Sequence, residues 1–170
     1  HCVPNPYRAG GGPYWCGFVI TASWQTYLNY GDRRLLERHY PQMQKWLGYV
    51  EKFSVDGLLQ EWENVEYRWW YLGDWLSPNG VDYKNKESVA LVSNCYVSYC
   101  LDVMSKIATE LGKHDDAKEY KAQYEAINKL IHEQFYNAQS GEYGTGTQID
   151  MIYPLLAGIA PEDIEKKITE

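Results

Sequence analysis

Apolar side chains recur at helical spacing through most of the chain, but how far they spread around each helix changes from segment to segment. Over residues 18–30, FVITASWQTYLNY keeps a helical period and stops at Gly31, with Asp32 placed to cap a following helix. DRRLLERHY makes a short helical approach. Pro41 then suits a first helical turn, and PQMQKWLGYVEKF carries Met43, Trp46, Leu47 and Val50 on one face. From Ser88, a candidate cap, VALVSNCYVSYCLDVMSKIATEL runs to Gly112 and is apolar on nearly every side through its first half, which predicts a helix buried all round. HDDAKEYKAQYEAINKLIHEQFY differs in kind: Ala117, Tyr120, Tyr124, Ile127, Ile131 and Phe135 form one stripe among Lys and Glu, so one face is wet. SGEYGTG reads as a turn, TQIDMIYPLLAG as an apolar helix interrupted at Pro154, and PEDIEKKITE as a polar helix opening behind Pro161.

An all-apolar helix followed by a one-stripe helix is what two concentric layers require, with inner helices touching neighbours everywhere and outer ones facing water. The expected fold is therefore all-α, built from helical hairpins of about 50 to 60 residues each. An open solenoid would need self-similar repeats, and none is visible. The long connection between Phe53 and Ser88 favours a toroid with functional loops at one rim.

Within that connection, EYRWWYLGDWLSPNG (residues 66–80) sets Tyr67, Trp69, Trp70, Tyr71, Asp74 and Trp75 among the turn residues Gly73, Pro78, Asn79 and Gly80. Such aromatics either fold back onto helix ends or form a platform for a ligand. Glu61, Glu63 and Glu66, just upstream in QEWENVEY, are candidates for an acid and base pair if the aromatic surroundings raise a carboxyl pKa, and solvated loop charges otherwise.

Composition narrows the classes. Seven Trp and sixteen Tyr against three Phe favour amphipathic rings, which suit polar ligands as well as cores. A net charge of −7, with no basic cluster beyond pairs such as Arg33 and Arg34, argues against nucleic acid and anionic membranes as partners. No apolar stretch approaches the roughly 18 to 20 residues needed to span a bilayer, so a soluble chain is expected. It opens at His1 and stops inside PEDIEKKITE, the pattern of a piece of a longer protein, and assigns no compartment. Cys2, Cys16, Cys95 and Cys100 lack zinc spacing and read as buried thiols. No HExxH or comparable ligand pair occurs, so no metal is expected. RAGGGPYW lacks the Lys and Ser or Thr of a phosphate loop, and the glycines of SGEYGTGTQ follow a helix where a dinucleotide motif follows a strand, so no cofactor is expected either.

The succession YWCGFVITASWQTYLNYGDRRLLERHYPQMQKWLGYV, LGDWL, IATELGKHDDAKEYKAQYEAINKLIHEQFY and GTQIDMIYPLLAGIAPED resembles the catalytic domain of the bacterial α-L-rhamnosidases of glycoside hydrolase family 78. The resemblance covers most of the chain. It implies that residues 1–170 are a fragment, about half, of a six-hairpin (α/α)6 toroid, and that the remaining half of that domain is its partner. It also implies inverting removal of terminal rhamnose from glycans or glycosides, with the sugar held at the toroid mouth. Trp15 of YWCG, and Asp74 and Trp75 of GDW, match positions that line the rhamnose pocket. Tyr67, Trp69, Trp70 and Tyr71 look inserted and suit a subsite wall. The family's general acid and base would lie outside this chain. One departure stands out: where the family has an Asp, as in WGDA, this chain has WCGF. The competing readings are a non-catalytic helical-hairpin module binding glycan or protein, and another six-hairpin glycosidase acting on glucosides or unsaturated uronides.

Overall fold

The computed structural model describes residues 12–61, 71 and 85–169. In chain order these form α1 (Pro13–Tyr30), α2 (Arg34–Lys52), a ribbon of β1 (Ser54–Val55) and β2 (Leu58–Leu59), α3 (Lys86–Glu110), and α4 (His114–Phe135). A second ribbon of β3 (Tyr136–Asn137) and β4 (Glu142–Tyr143), then α5 (Gln148–Leu156) and α6 (Glu162–Thr169), complete them. The all-α expectation holds. Both ribbons are antiparallel, pairing Val55 with Leu58 and Tyr136 with Tyr143.

The helices form two layers. α3 lies between α1 and α5, while α2 packs on α1 and α4 on α3. The three inner helices point the same way. Gly17 of α1 lies level with Cys100 of α3, whose thiol faces the Gly17 carbonyl, and Arg33, just past the end of α1, pairs with Glu110 at the end of α3. Likewise Asp150, early in α5, bonds Ser88, early in α3. At their C-terminal ends the inner helices reverse through short turns. Those after α3 and α5 are closed by Lys113 N–H to Ala108 O and Ile159 N–H to Pro154 O, around Gly112 and Gly158 at positive φ. Every long connection therefore leads into the N-terminal ends, at one rim.

Burial follows the periodicity. Met43, Trp46, Leu47 and Val50 are buried along α2, and Ala117, Tyr120, Ile127, Ile131 and Phe135 along α4. α3 buries residues on all its faces from Ser88 to Ala108. Tyr124 is half-buried, and its hydroxyl donates to Ala157 O.

Five boundaries differ from expectation. α1 begins at Pro13, because proline suits a first turn and its missing N–H costs nothing there. α2 runs unbroken through Pro41: one ladder bond is forfeited, and the burial of Leu36 and Tyr40 ahead of it keeps the turn helical. Pro154 similarly lies inside α5. The cap of α3 is Asn85, whose side chain accepts the Ser88 N–H at 3.2 Å; Ser88 itself is already helical and buried. Asp32 sits one residue ahead of the α2 cap position, yet its carboxylate accepts the Arg34 N–H at 3.0 Å.

Candidate functional site

The rim that receives the long connections is stepped. Tyr14 of α1 packs on Tyr96 of α3 with ring centroids 4.8 Å apart, and edge-on against Tyr153 of α5 at 5.9 Å. Tyr96 is ten residues into α3, so α3 projects about 15 Å past the start of α1 at 1.5 Å per residue. Trp15 lies on this step. It is 56% exposed on the first turn of α1, beside a tyrosine cluster contributed by all three inner helices. Thr21 and Tyr96 share a hydrogen bond of 3.1 Å, which fixes one ring of the cluster. Burial, and then the neighbouring Tyr153, push the Tyr14 phenol well above its ordinary pKa, and burial does the same for Tyr96. The cluster is a packed set of neutral rings that ties the first turn of α1 to α3 and α5 and so fixes where Trp15 projects.

The WCGF departure has a packing reason. A Cβ at Gly17 would stand 2.8 Å from both Trp46 and Tyr96 and 3.1 Å from the Cys100 sulfur. Position 17 therefore has no room for a carboxylate side chain. Cys16 is buried.

The other sequence-predicted residues separate. Glu61 lies at the surface, where Lys86 Nζ approaches its carboxylate at 2.6 Å and so tethers the chain ahead of α3 to that helix's first residue. Tyr71 is 5% exposed and donates to Leu59 O at 3.0 Å, so it serves the core and not a subsite wall. Glu63, Glu66, Tyr67, Trp69, Trp70, Asp74 and Trp75 lie outside the described residues. Cys16, Cys95 and Cys100 are buried thiols outside any disulfide, and Cys2 lies outside the described residues. Burial raises the Cys95 and Cys100 thiols, which leaves them poor nucleophiles. Among the described residues no acidic, His or Cys group is arranged to hold a metal ion.

The sequence reading missed the polar groups that brace this rim. Asp150 is fully buried and accepts from Ser88 Oγ at 2.5 Å, Thr145 N–H at 2.9 Å and Thr145 Oγ1 at 2.7 Å. Asn94, also buried, bonds both main-chain groups of Leu59. The available signal was an acid and an amide standing alone in apolar helices. A cavity of about 450 Å³ lies elsewhere, in the outer layer between α2 and α4 over Val97 and Leu101, and Trp15 does not line it.

Over residues 1–170 the sequence matches the family described as the bacterial α-L-rhamnosidase six-hairpin glycosidase domain. The chain belongs to that family. An α-L-rhamnosidase of Alteromonas sp. (strain LOR) is 24% identical over 155 residues, which are 87% of this chain and 16% of that protein. Among solved structures, the α-L-rhamnosidase of Dictyoglumus thermophilum superposes with a TM-score of 0.79 at 30% identity, covering 94% of this chain and 18% of that one. The Streptomyces avermitilis α-L-rhamnosidase, solved in complex with L-rhamnose, gives 0.74 at 26% identity over 93% of this chain and 14% of its own. The six-hairpin domain accounts for the layered hairpins, and this chain spans under a fifth of each of these rhamnosidases.

Proposed function

We propose that the chain works as part of the six-hairpin catalytic domain of an inverting α-L-rhamnosidase and supplies one side of the rhamnose-binding mouth. The observation that carries the reading is family membership over the whole chain, joined to the exposure of Trp15 on the first turn of α1. Inversion requires a carboxylic acid to protonate the leaving oxygen and a carboxylate to activate water, about 6.5 to 9.5 Å apart. That pair belongs to the rest of the domain. Trp15 and Trp75 would meet the apolar face and methyl group of the 6-deoxy sugar, and Asp74 would accept from its hydroxyls.

Two flanks support the partner reading. Phe18 and Leu28 are exposed along α1, and Ile152 and Leu156 along α5. These helices lie on either side of α3 and are where further inner helices of a ring would pack. The isolated chain is then inactive. The test is release of nitrophenol from 4-nitrophenyl α-L-rhamnopyranoside and a panel of other nitrophenyl glycosides by the full-length protein. Turnover confined to the rhamnoside is the expected result. Cleavage of another glycoside alone would keep the toroid and remove rhamnose, and silence on every glycoside would favour a binding module.

A further inference from the structure

Asp150 does more than satisfy neighbours: its bonds close a ring. Asn85, the α3 cap, accepts the Ser88 N–H through its side-chain oxygen and donates through its amide nitrogen to Thr145 Oγ1 at 3.0 Å. The Thr145 hydroxyl in turn donates to Asp150 Oδ2, and the Ser88 hydroxyl donates to Oδ1. Each hydroxyl thus has one consistent orientation, and the ring joins the first turn of α3 to the turn that leads into α5. That turn wraps the carboxylate closely, since a Cβ at Gly144 would stand 2.9 Å from Asp150 Oδ2. The first turn of α5 carries Asp150, and the next places Tyr153 edge-on against Tyr14, the neighbour of Trp15.

We propose that Asp150 is a positioning residue of the sugar-binding rim: it sets α5 against α3 through this ring, and so holds Tyr153 against Tyr14, the residue next to Trp15 on α1. The inference rests on the rhamnosidase reading for its substrate, not for its geometry. An Asn at 150 can keep both Thr145 bonds on its oxygen and turn only the Ser88 bond around, because a hydroxyl can also accept. An Ala keeps none of the three.

The full-length protein is therefore compared with its Asp150→Ala and Asp150→Asn variants, well below the melting temperature of each. In steady-state hydrolysis of 4-nitrophenyl α-L-rhamnopyranoside, Asp150→Ala should raise KM at least tenfold with a smaller change in kcat, and Asp150→Asn should recover most of the loss. Hydrogen exchange over residues 85–89 and 144–153 should quicken in Asp150→Ala and stay near wild type in Asp150→Asn. A folded Asp150→Ala protein with unchanged KM overturns the proposal and leaves the carboxylate a stabilising role alone. Unchanged exchange overturns it whatever the substrate proves to be. If the wild type cleaves a different glycoside, the rhamnose reading fails by itself and the same KM comparison is made on that glycoside.

Discussion

Replacing Asn94 with Ala should cost about 2–4 kcal/mol, and the figure can be followed bond by bond. Asn94 is 1% exposed in α3. Its Oδ1 accepts the Leu59 N–H at 2.8 Å, and its Nδ2 donates to Leu59 O at 3.1 Å and to Ala90 O at 2.9 Å. It serves β2 as a neighbouring strand would. Two of the three partners survive its removal: Leu59 O keeps the Tyr71 hydroxyl at 3.0 Å, and Ala90 O keeps its helical bond. The Leu59 N–H is stranded, buried, at roughly 1–3 kcal/mol, and the emptied volume adds about 1 kcal/mol. Asn94→Asp gives a second reading. It keeps an acceptor for Leu59 N–H but turns the donor into an acceptor facing two carbonyl oxygens, so it should be at least as destabilising. Urea unfolding followed by tryptophan fluorescence gives the free energies, and amide exchange at Leu59 reports the bond itself. A loss under about 0.5 kcal/mol in Asn94→Ala, with the Leu59 amide still protected, would refute the reasoning.

Three further outcomes follow from the same contacts. Gly17→Ala should destabilise by about 1–2 kcal/mol in thermal or urea unfolding, because overpacking against Trp46 and Tyr96 outweighs alanine's helix preference of about 1 kcal/mol; a more stable variant would contradict the close approach. The Asp32 carboxyl is held down to about 2, first by the Arg34 side chain and then by the Arg34 N–H. A depressed folded pKa contributes stability above the ordinary carboxylate range, and that contribution drains as pH falls from about 4 towards about 2. NMR titration should find this midpoint and see it rise in Arg34→Ala, and an unmoved midpoint would count against the pairing. The isolated chain should associate through the exposed residues of α1 and α5, with sedimentation mass rising with concentration; a compact monomer with a sharp thermal transition would argue otherwise.

Much of the fold was legible because layered helices write their environment into their periodicity. The change from an apolar α3 to a one-stripe α4 is the signature of inner and outer positions, and the buried residues of each follow it. Proline was read too locally: α2 is carried through Pro41 by the burial of Leu36, Tyr40 and Met43, and in α5 Pro154 is itself buried, which no local propensity encodes. The first ribbon had a signal that went unread, Asp56-Gly57, both at positive φ as a two-residue hairpin loop demands. Trp15 was reached through resemblance alone, and the structure adds that it is exposed on the first turn of α1. Asp150 and Asn94 were silent because a lone polar residue in an apolar helix declares only that it needs partners. The partners, Thr145, Ser88 and Leu59, are fixed by tertiary packing.

The most direct test of the account is the effect of Trp15→Ala on kcat/KM for 4-nitrophenyl α-L-rhamnopyranoside, measured on the folded full-length protein. Loss of a stacking platform worth about 1.5–3 kcal/mol predicts a fall of about 10- to 150-fold, carried mainly by KM. A folded variant that hydrolyses the rhamnoside with wild-type kcat/KM would contradict the placement of the sugar at this rim.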